Sequence, residues 1–106
     1  MPPCSSLSYK LLAFIIFFMS VTIYTKHNCH YCVRAKNLLK TRNIPFKEID
    51  ITDDLNLQKE CFSKSNGMIT VPQIFFGTFH VGGFDNLLKL SSTERFNEIL
   101  KEENII

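Results

Sequence analysis

The spacing of apolar positions divides this chain into short elements. VTIYT (21–25) is β-branched and aromatic and apolar on both faces, which predicts a buried strand. HYCVRAKNLLKTR (30–42) predicts a helix with Val33, Ala35, Leu38 and Leu39 on one side and Arg34, Lys36, Lys40 and Arg42 on the other. Lys40 and Arg42 suit the negative end of its dipole. Asn43 breaks it and Pro45 cannot continue it. FKEIDI (46–51) alternates as a second strand. Thr52, Asp53 and Asp54 are candidate caps for a helix over 55–65, which Asn66-Gly67 ends. VPQIFF and FHV flank Gly77-Thr78, a two-residue Gly-X signal for a type II′ hairpin. Gly82-Gly83 stops the second of these strands, and DNLLKL (85–90) is a short helix. Ser91 with Glu94 predicts a capping box for a last helix over 92–103.

The order is β-α-β-α-β-β-α-α. Its first half is a right-handed βαβ unit with parallel strands, and its second an antiparallel hairpin with helices. The expected product is an α/β fold with a mixed four-stranded sheet and helices on both faces.

At 106 residues the chain makes one small domain. Its 45% hydrophobic and 21% charged residues are a globular composition, and ten phenylalanines with no tryptophan predict a core of small aromatic rings. A net charge of +2 without a basic run gives no case for nucleic acid. Four cysteines are too sparse for a disulfide-stapled secreted domain. The run LLAFIIFFM (11–19) is nine apolar residues, against the roughly 20 of a membrane-spanning helix. It also lacks the flanks of a signal peptide. The expectation is a domain over 19–106 preceded by an apolar extension, 1–18, that reflects start-site choice, with a weak membrane anchor as the alternative.

The chemistry concentrates in HNCHYC (27–32), two cysteines and two histidines within six residues. A C-x-x-C pair serves both metal binding and thiol–disulfide exchange. A closed zinc site wants four ligands, commonly two separated pairs. Here Cys61 and His80 are isolated, so the second pair is missing. Cys61 reads as a buried thiol packed like a small hydrophobe. Cys4 has no evident partner.

Two further motifs follow in order: TVPQIF at the start of the third strand and GGFDNL after the hairpin. With YTKHNCHYC they resemble the dithiol glutaredoxins of the thioredoxin-like superfamily, over residues 19–106. A thioredoxin proper is a poorer match, because the W-C-G-P-C neighbourhood is absent. The resemblance implies a cytoplasmic, monomeric, glutathione-dependent enzyme of redox homeostasis. It would reduce protein disulfides and glutathionylated proteins, with glutathione reductase and NADPH renewing the glutathione. It implies no required metal. The alternative within the family is a [2Fe–2S] cluster held by Cys29 and glutathione.

The resemblance also assigns roles. Cys29 is the nucleophile, at a helix start and three residues after Lys26, both of which favour a thiolate. Cys32 resolves the intermediate, and Tyr31 is an aromatic wall beside the thiol. Thr70, Val71 and Pro72 form a segment with a cis proline, whose Val71 N–H and C=O can pair with the cysteine backbone of glutathione. Gly83, Phe84 and Asp85 open a helix that takes the γ-glutamyl end. Lys26 and Lys59, the latter eleven residues before Thr70, take the glycyl carboxylate. Two positions depart from the family pattern. Met68 stands where some members carry a basic residue. His30 stands where dithiol members carry proline, and its positive charge would favour the thiolate and make the protein more oxidising.

Overall fold

The structure is a computed structural model that describes residues 21–105. The apolar run 11–19, and with it the division into extension and domain, lies outside the described residues. The elements are β1 (Val21–Thr25), α1 (His30–Thr41), β2 (Lys47–Asp50), α2 (Leu55–Lys64), β3 (Gln73–Phe76), β4 (Phe79–Gly82), α3 (Phe84–Ser91) and α4 (Glu94–Glu102). They form one sheet in the order β2-β1-β3-β4. β1 runs parallel to β2 and antiparallel to β3, and β3 pairs antiparallel with β4. This is the mixed sheet that the element order predicts.

Side chains alternate across a strand, so each central strand feeds two cores. Val21, Ile23, Ile74 and Phe76 face Ala35 and Leu39 of α1, Leu87 of α3 and Phe96, Ile99 and Leu100 of α4. Tyr24 and Phe75 face the other way and pack with Ile51 and with Cys61 of α2. The Tyr24 hydroxyl donates to Glu60 Oε2 at 2.8 Å, which ties β1 to α2. Burial, and then Glu60, push that phenol well above its ordinary range. The outer strand β2 carries exposed Lys47, Glu48 and Asp50, charges that discourage edge-to-edge pairing.

Local signals stop most elements where the pattern places them. Asp54 caps α2, its carboxylate accepting from Leu57 N at 3.0 Å. Asn43 and Asn66 take left-handed conformations at φ 58° and 57°, which asparagine tolerates. Gly77 has φ +60°, and a Cβ there would meet Glu103 Cδ at 2.9 Å. Glu103 holds that turn by accepting from Thr78 N and Oγ1 at 2.9 and 2.7 Å.

Two expectations fail. The capping box does not form, because α3 runs on through Ser91, whose buried hydroxyl donates to Leu88 O at 2.7 Å. α4 starts instead from Thr93, which makes no side-chain cap bond. Val33 is 51% exposed. The buried stripe of α1 is Cys32, Ala35 and Leu39, and Val33 sits about 100° around the helix from Cys32. Among the described residues no helix is long and apolar enough to cross a membrane.

Candidate active site

β1 ends at Thr25, and Lys26, His27 and Asn28 lead to Cys29, the residue before α1. Asn28 turns the chain at φ 57°. Cys29 is then extended (φ −111°, ψ 102°) and occupies the N-cap, where its sulfur accepts from Cys32 N at 3.0 Å. The sulfur stands where a capping oxygen usually stands. The donor and the positive end of the helix dipole both favour negative charge on that atom.

Cys29 and Cys32 form a disulfide, with Cα atoms 5.2 Å apart. The two sulfurs are not equivalent. Cys32 is 2% exposed on the buried face of α1, whereas Cys29 is partly exposed. An external thiol or disulfide therefore meets Cys29.

The loop before Cys29 is anchored from the side. His27 N donates to Thr52 Oγ1 at 2.8 Å, and His27 Nε2 lies 2.8 Å from Asp50 Oδ2. Thr52 N and Oγ1 donate to Asp50 Oδ1 at 2.9 and 2.6 Å. These Thr52 bonds, and secondarily His27, hold the Asp50 carboxyl below its ordinary range. His27 is thus a loop anchor, a role its place in HNCHYC did not announce. His30, at the first position of α1, is exposed.

Across from the disulfide, the Val71-Pro72 bond is cis, and Val71 O lies 3.8 Å from Cys29 Sγ. Pro72 is buried and Val71 half-buried. The residue that fixes this segment is Gln73, wholly buried in β3. Its amide nitrogen donates to Thr70 O and Oγ1 at 3.0 and 3.3 Å, and its oxygen is 2.7 Å from His80 Nε2 on β4. The His80 ring stacks on Phe75 at 4.7 Å between centroids, and burial lowers its pKa. Neither Gln73 nor His80 was among the site residues read from sequence, where His80 figured only as an isolated metal-ligand type. The available signal was a lone amide inside an otherwise apolar strand, since a buried amide must find partners.

Two cavities flank the 70–72 segment. One, of about 300 Å³, is lined in part by Lys26, Gln58, Lys59, Thr70 and Val71. The other, of about 310 Å³, is lined in part by Tyr31, Thr70, Val71, Pro72, Gly83, Phe84 and Asp85. Thr70 and Val71 belong to both. Every residue proposed from sequence for ligand binding lines one or the other of these two cavities on either side of the 70–72 segment, and Cys29 shares a third depression with Lys26. Tyr31 stacks on Phe84 at 6.0 Å, with the Arg34 guanidinium 5.5 Å from its ring, so one wall joins the starts of α1 and α3.

The two glycines of GGFD differ. Gly82 has φ +108°, and a side chain there would run into that of Asn86. Gly83 is the N-cap of α3 at φ −89°, where a Cβ would only touch Pro72 O at 3.6 Å. Cys61 is free and buried, and burial followed by Glu60 pushes its thiol up, which keeps it protonated and inert. Among the described residues no three His, Cys, Asp or Glu side chains converge as a metal site would require.

Comparison with known proteins gives this geometry a family. The glutaredoxin family model matches residues 21–81. Glutaredoxin 1 of Rickettsia typhi is 40% identical over 85 residues, covering 79% of this chain and 82% of the relative. The solution structure of a glutaredoxin from Brucella melitensis is 41% identical, covers 78% of this chain and 89% of its own, and superposes at a TM-score of 0.67. A buckwheat glutaredoxin, solved as a complex with glutathione, covers 99% of both chains at a TM-score of 0.71. At 23% identity that likeness is one of fold. With its cysteine pair at a helix N-terminus against a cis-proline segment, the chain belongs to the glutaredoxins, a family of thiol–disulfide oxidoreductases.

Proposed function

We propose that this chain is a glutathione-dependent oxidoreductase that reduces protein disulfides and glutathionylated mixed disulfides. The observation that carries the reading is the asymmetry of the cysteine pair. Cys29 is partly exposed, with a backbone donor on its sulfur, and Cys32 is buried directly behind it. The buckwheat relative's complex with glutathione supports the choice of thiol.

In the one-cysteine route the Cys29 thiolate attacks the glutathione sulfur of a mixed disulfide. The protein thiolate leaves and takes up a proton. A second glutathione thiolate then attacks the glutathione sulfur on Cys29, releasing oxidised glutathione and the Cys29 thiolate. In the two-cysteine route Cys29 attacks a protein disulfide, and the Cys32 thiolate displaces the remaining protein thiol. The product is the Cys29–Cys32 disulfide, the state of the pair in this structure. Two glutathiones reduce it in turn and leave as the disulfide dimer, which glutathione reductase returns at the expense of NADPH. One chain supplies all of these groups, and a reducing, glutathione-rich cytoplasm suits them.

The groove provides for the ligand as follows. Val71 N–H and C=O pair with the cysteine backbone of glutathione, in the manner of strand addition. The amides of Phe84 and Asp85 at the start of α3 take the γ-glutamyl carboxylate, and the Asp85 carboxylate takes its ammonium. Lys26 and Lys59 take the glycyl carboxylate. Thr70, Pro72, Tyr31 and Gly83 shape the walls. A [2Fe–2S] cluster would find one accessible thiolate per chain and would depend on glutathione and a second chain for the rest, so no step here passes through one.

The test is the ratio of two activities in two variants. Cys29→Ser should abolish both routes. Cys32→Ser should abolish two-cysteine reduction of protein disulfides and keep or raise removal of glutathione from mixed disulfides. Equal loss of both activities in both variants would refute the reading, because a site that uses the pair symmetrically loses function with either sulfur.

A further inference from the structure

The cavity that holds Lys26 and Lys59 is larger and more apolar than a glycyl carboxylate requires. Its volume is about 300 Å³, and its outer wall is Phe62, Met68 and Ile69. These residues are 49, 47 and 79% exposed, three large apolar side chains open to solvent on one cavity.

The wall is fixed in place. Gly67 turns the chain at φ +88° and lies beneath the Phe62 ring, with its N–H donating to Phe62 O at 2.8 Å. The buried Ser65 hydroxyl lies 2.7 Å from Cys61 O and 3.3 Å from Met68 O, which ties the turn to α2. Lys26 and Lys59 line the same cavity, Lys59 three residues before Phe62 on α2, and neither forms an ion pair among the described residues. The complementary ligand carries a carboxylate and an apolar side chain together. Glutathione supplies the first and lacks the second, because its last residue is glycine.

We infer that this cavity is a specificity pocket for an apolar side chain on the carboxylate-bearing residue that follows the substrate's cysteine. The inference rests on the glutathione reading above, which sets the ligand's direction along Val71. In an extended peptide successive side chains point to opposite sides. With the substrate cysteine directed at Cys29, the next side chain points away from it, and Cys29 does not line this cavity. The substrate class is therefore a mixed disulfide of a cysteinyl peptide ending in Leu, Ile or Phe. The exchange chemistry is unchanged: Cys29 attacks the peptide's sulfur and the partner thiolate leaves.

Fully burying a Leu-sized side chain is worth a factor of roughly ten to a hundred in binding, and a half-open wall takes the lower end of that range. The experiment compares the 2-mercaptoethanol mixed disulfides of γ-Glu-Cys-Gly and γ-Glu-Cys-Leu. Their kcat/KM values are read for the full chain and for Phe62→Gln and Ile69→Gln. Ile69 is 79% and Phe62 49% exposed, so Ile69→Gln is the milder change, and a urea midpoint for each variant checks that the fold is kept. We expect the leucine peptide to exceed glutathione about tenfold through KM. Each variant should bring that ratio close to one while leaving the glutathione rate within twofold. A ratio of one or less in the unaltered chain overturns the pocket and leaves the glutathione reading standing. A raised ratio that neither variant reduces overturns it too. No turnover of the glutathione mixed disulfide overturns the parent reading and this inference with it.

Discussion

Replacing Gln73 by Leu keeps the side-chain volume close and deletes a polar junction at the centre of the sheet. Three contacts go: Thr70 O at 3.0 Å, Thr70 Oγ1 at 3.3 Å and His80 Nε2 at 2.7 Å. Each such bond contributes about 0.5–1.5 kcal/mol net. The exposed Thr70 groups can recover water, but the half-buried His80 recovers less. Among the described residues no buried side-chain polar atom lacks a partner, so the variant creates a new defect. We expect it to lose about 2–3 kcal/mol in urea unfolding with an unchanged denaturant slope. Function should follow, because Thr70 precedes Val71, whose oxygen sits 3.8 Å from Cys29 Sγ. KM for a glutathionylated peptide should rise about tenfold, equivalent to about 1.4 kcal/mol, with kcat within about twofold. A double-mutant cycle with His80→Leu isolates the pair. Once Gln73 is apolar, an apolar residue at 80 should cost almost nothing further, giving a coupling of about 1–2 kcal/mol. A loss under about 0.5 kcal/mol, or a coupling near zero, would refute the network as a support of the site.

Three other expectations follow from the geometry. Burial lowers the His80 pKa below its unfolded value of 6.5, so between the two the unfolded chain binds more protons. The stability this confers is complete above pH 6.5 and is lost as pH falls toward the folded value; urea midpoints at pH 7.5 and 5.5 should drop more in the unaltered chain than in His80→Leu, and equal drops would count against it. Asp85→Ala should raise KM for glutathionylated substrates while leaving the alkylation rate of Cys29 unchanged, and Lys59→Ala should do the same more weakly, since Lys26 lines the same cavity; wild-type KM in the Asp85 variant would remove that anion site. His30→Pro removes a basic group at the first residue of α1, so the dithiol should become a stronger reductant, measured against a glutathione redox buffer, and an unchanged potential would end the role given to His30.

The sheet was legible because its strands carry the pattern of their surroundings. VTIYT is apolar on both faces and proves to be a central strand with a core on each side. KEID alternates and lies at an edge. Residues close in sequence to a motif were legible as well, since YTKHNCHYC, TVPQIF and GGFDNL each fold into one corner of the groove. What escaped depends on register. His27 meets Asp50 because β1 and β2 pair with Thr25 opposite Asp50, and no local pattern states that offset. His80 reaches Gln73 because β3 and β4 slip between Ile74, paired with Gly82, and Phe75, paired with His80. The failed capping box is of another kind. Ser91 has the right neighbours, but α3 runs one residue further and takes it in, and a serine inside a helix returns its hydroxyl to the backbone.

The placement of Cys29 bears on which step the protein assists. Lowering a thiol's pKa by about 3 units multiplies its thiolate fraction at neutral pH by about 30. Intrinsic nucleophilicity falls by a comparable factor at a Brønsted slope of ~0.4–0.5. Attack by Cys29 therefore gains little from the N-cap position alone. Departure gains the full benefit, because Cys32 N–H, 3.0 Å from the sulfur, and the helix dipole meet the charge as the bond to Cys29 breaks. On the proposed function, the first step in either route would be governed by how the substrate is seated along Val71. The second is governed by how readily Cys29 leaves. If the 70–72 segment orients the peptide as proposed, that segment and the helix N-terminus that receives the charge of Cys29 would divide the two steps between Val71 and α1. Substitutions along the groove should accordingly act on KM, and substitutions at the start of α1 on the potential of the pair and on the breakdown of the mixed disulfide.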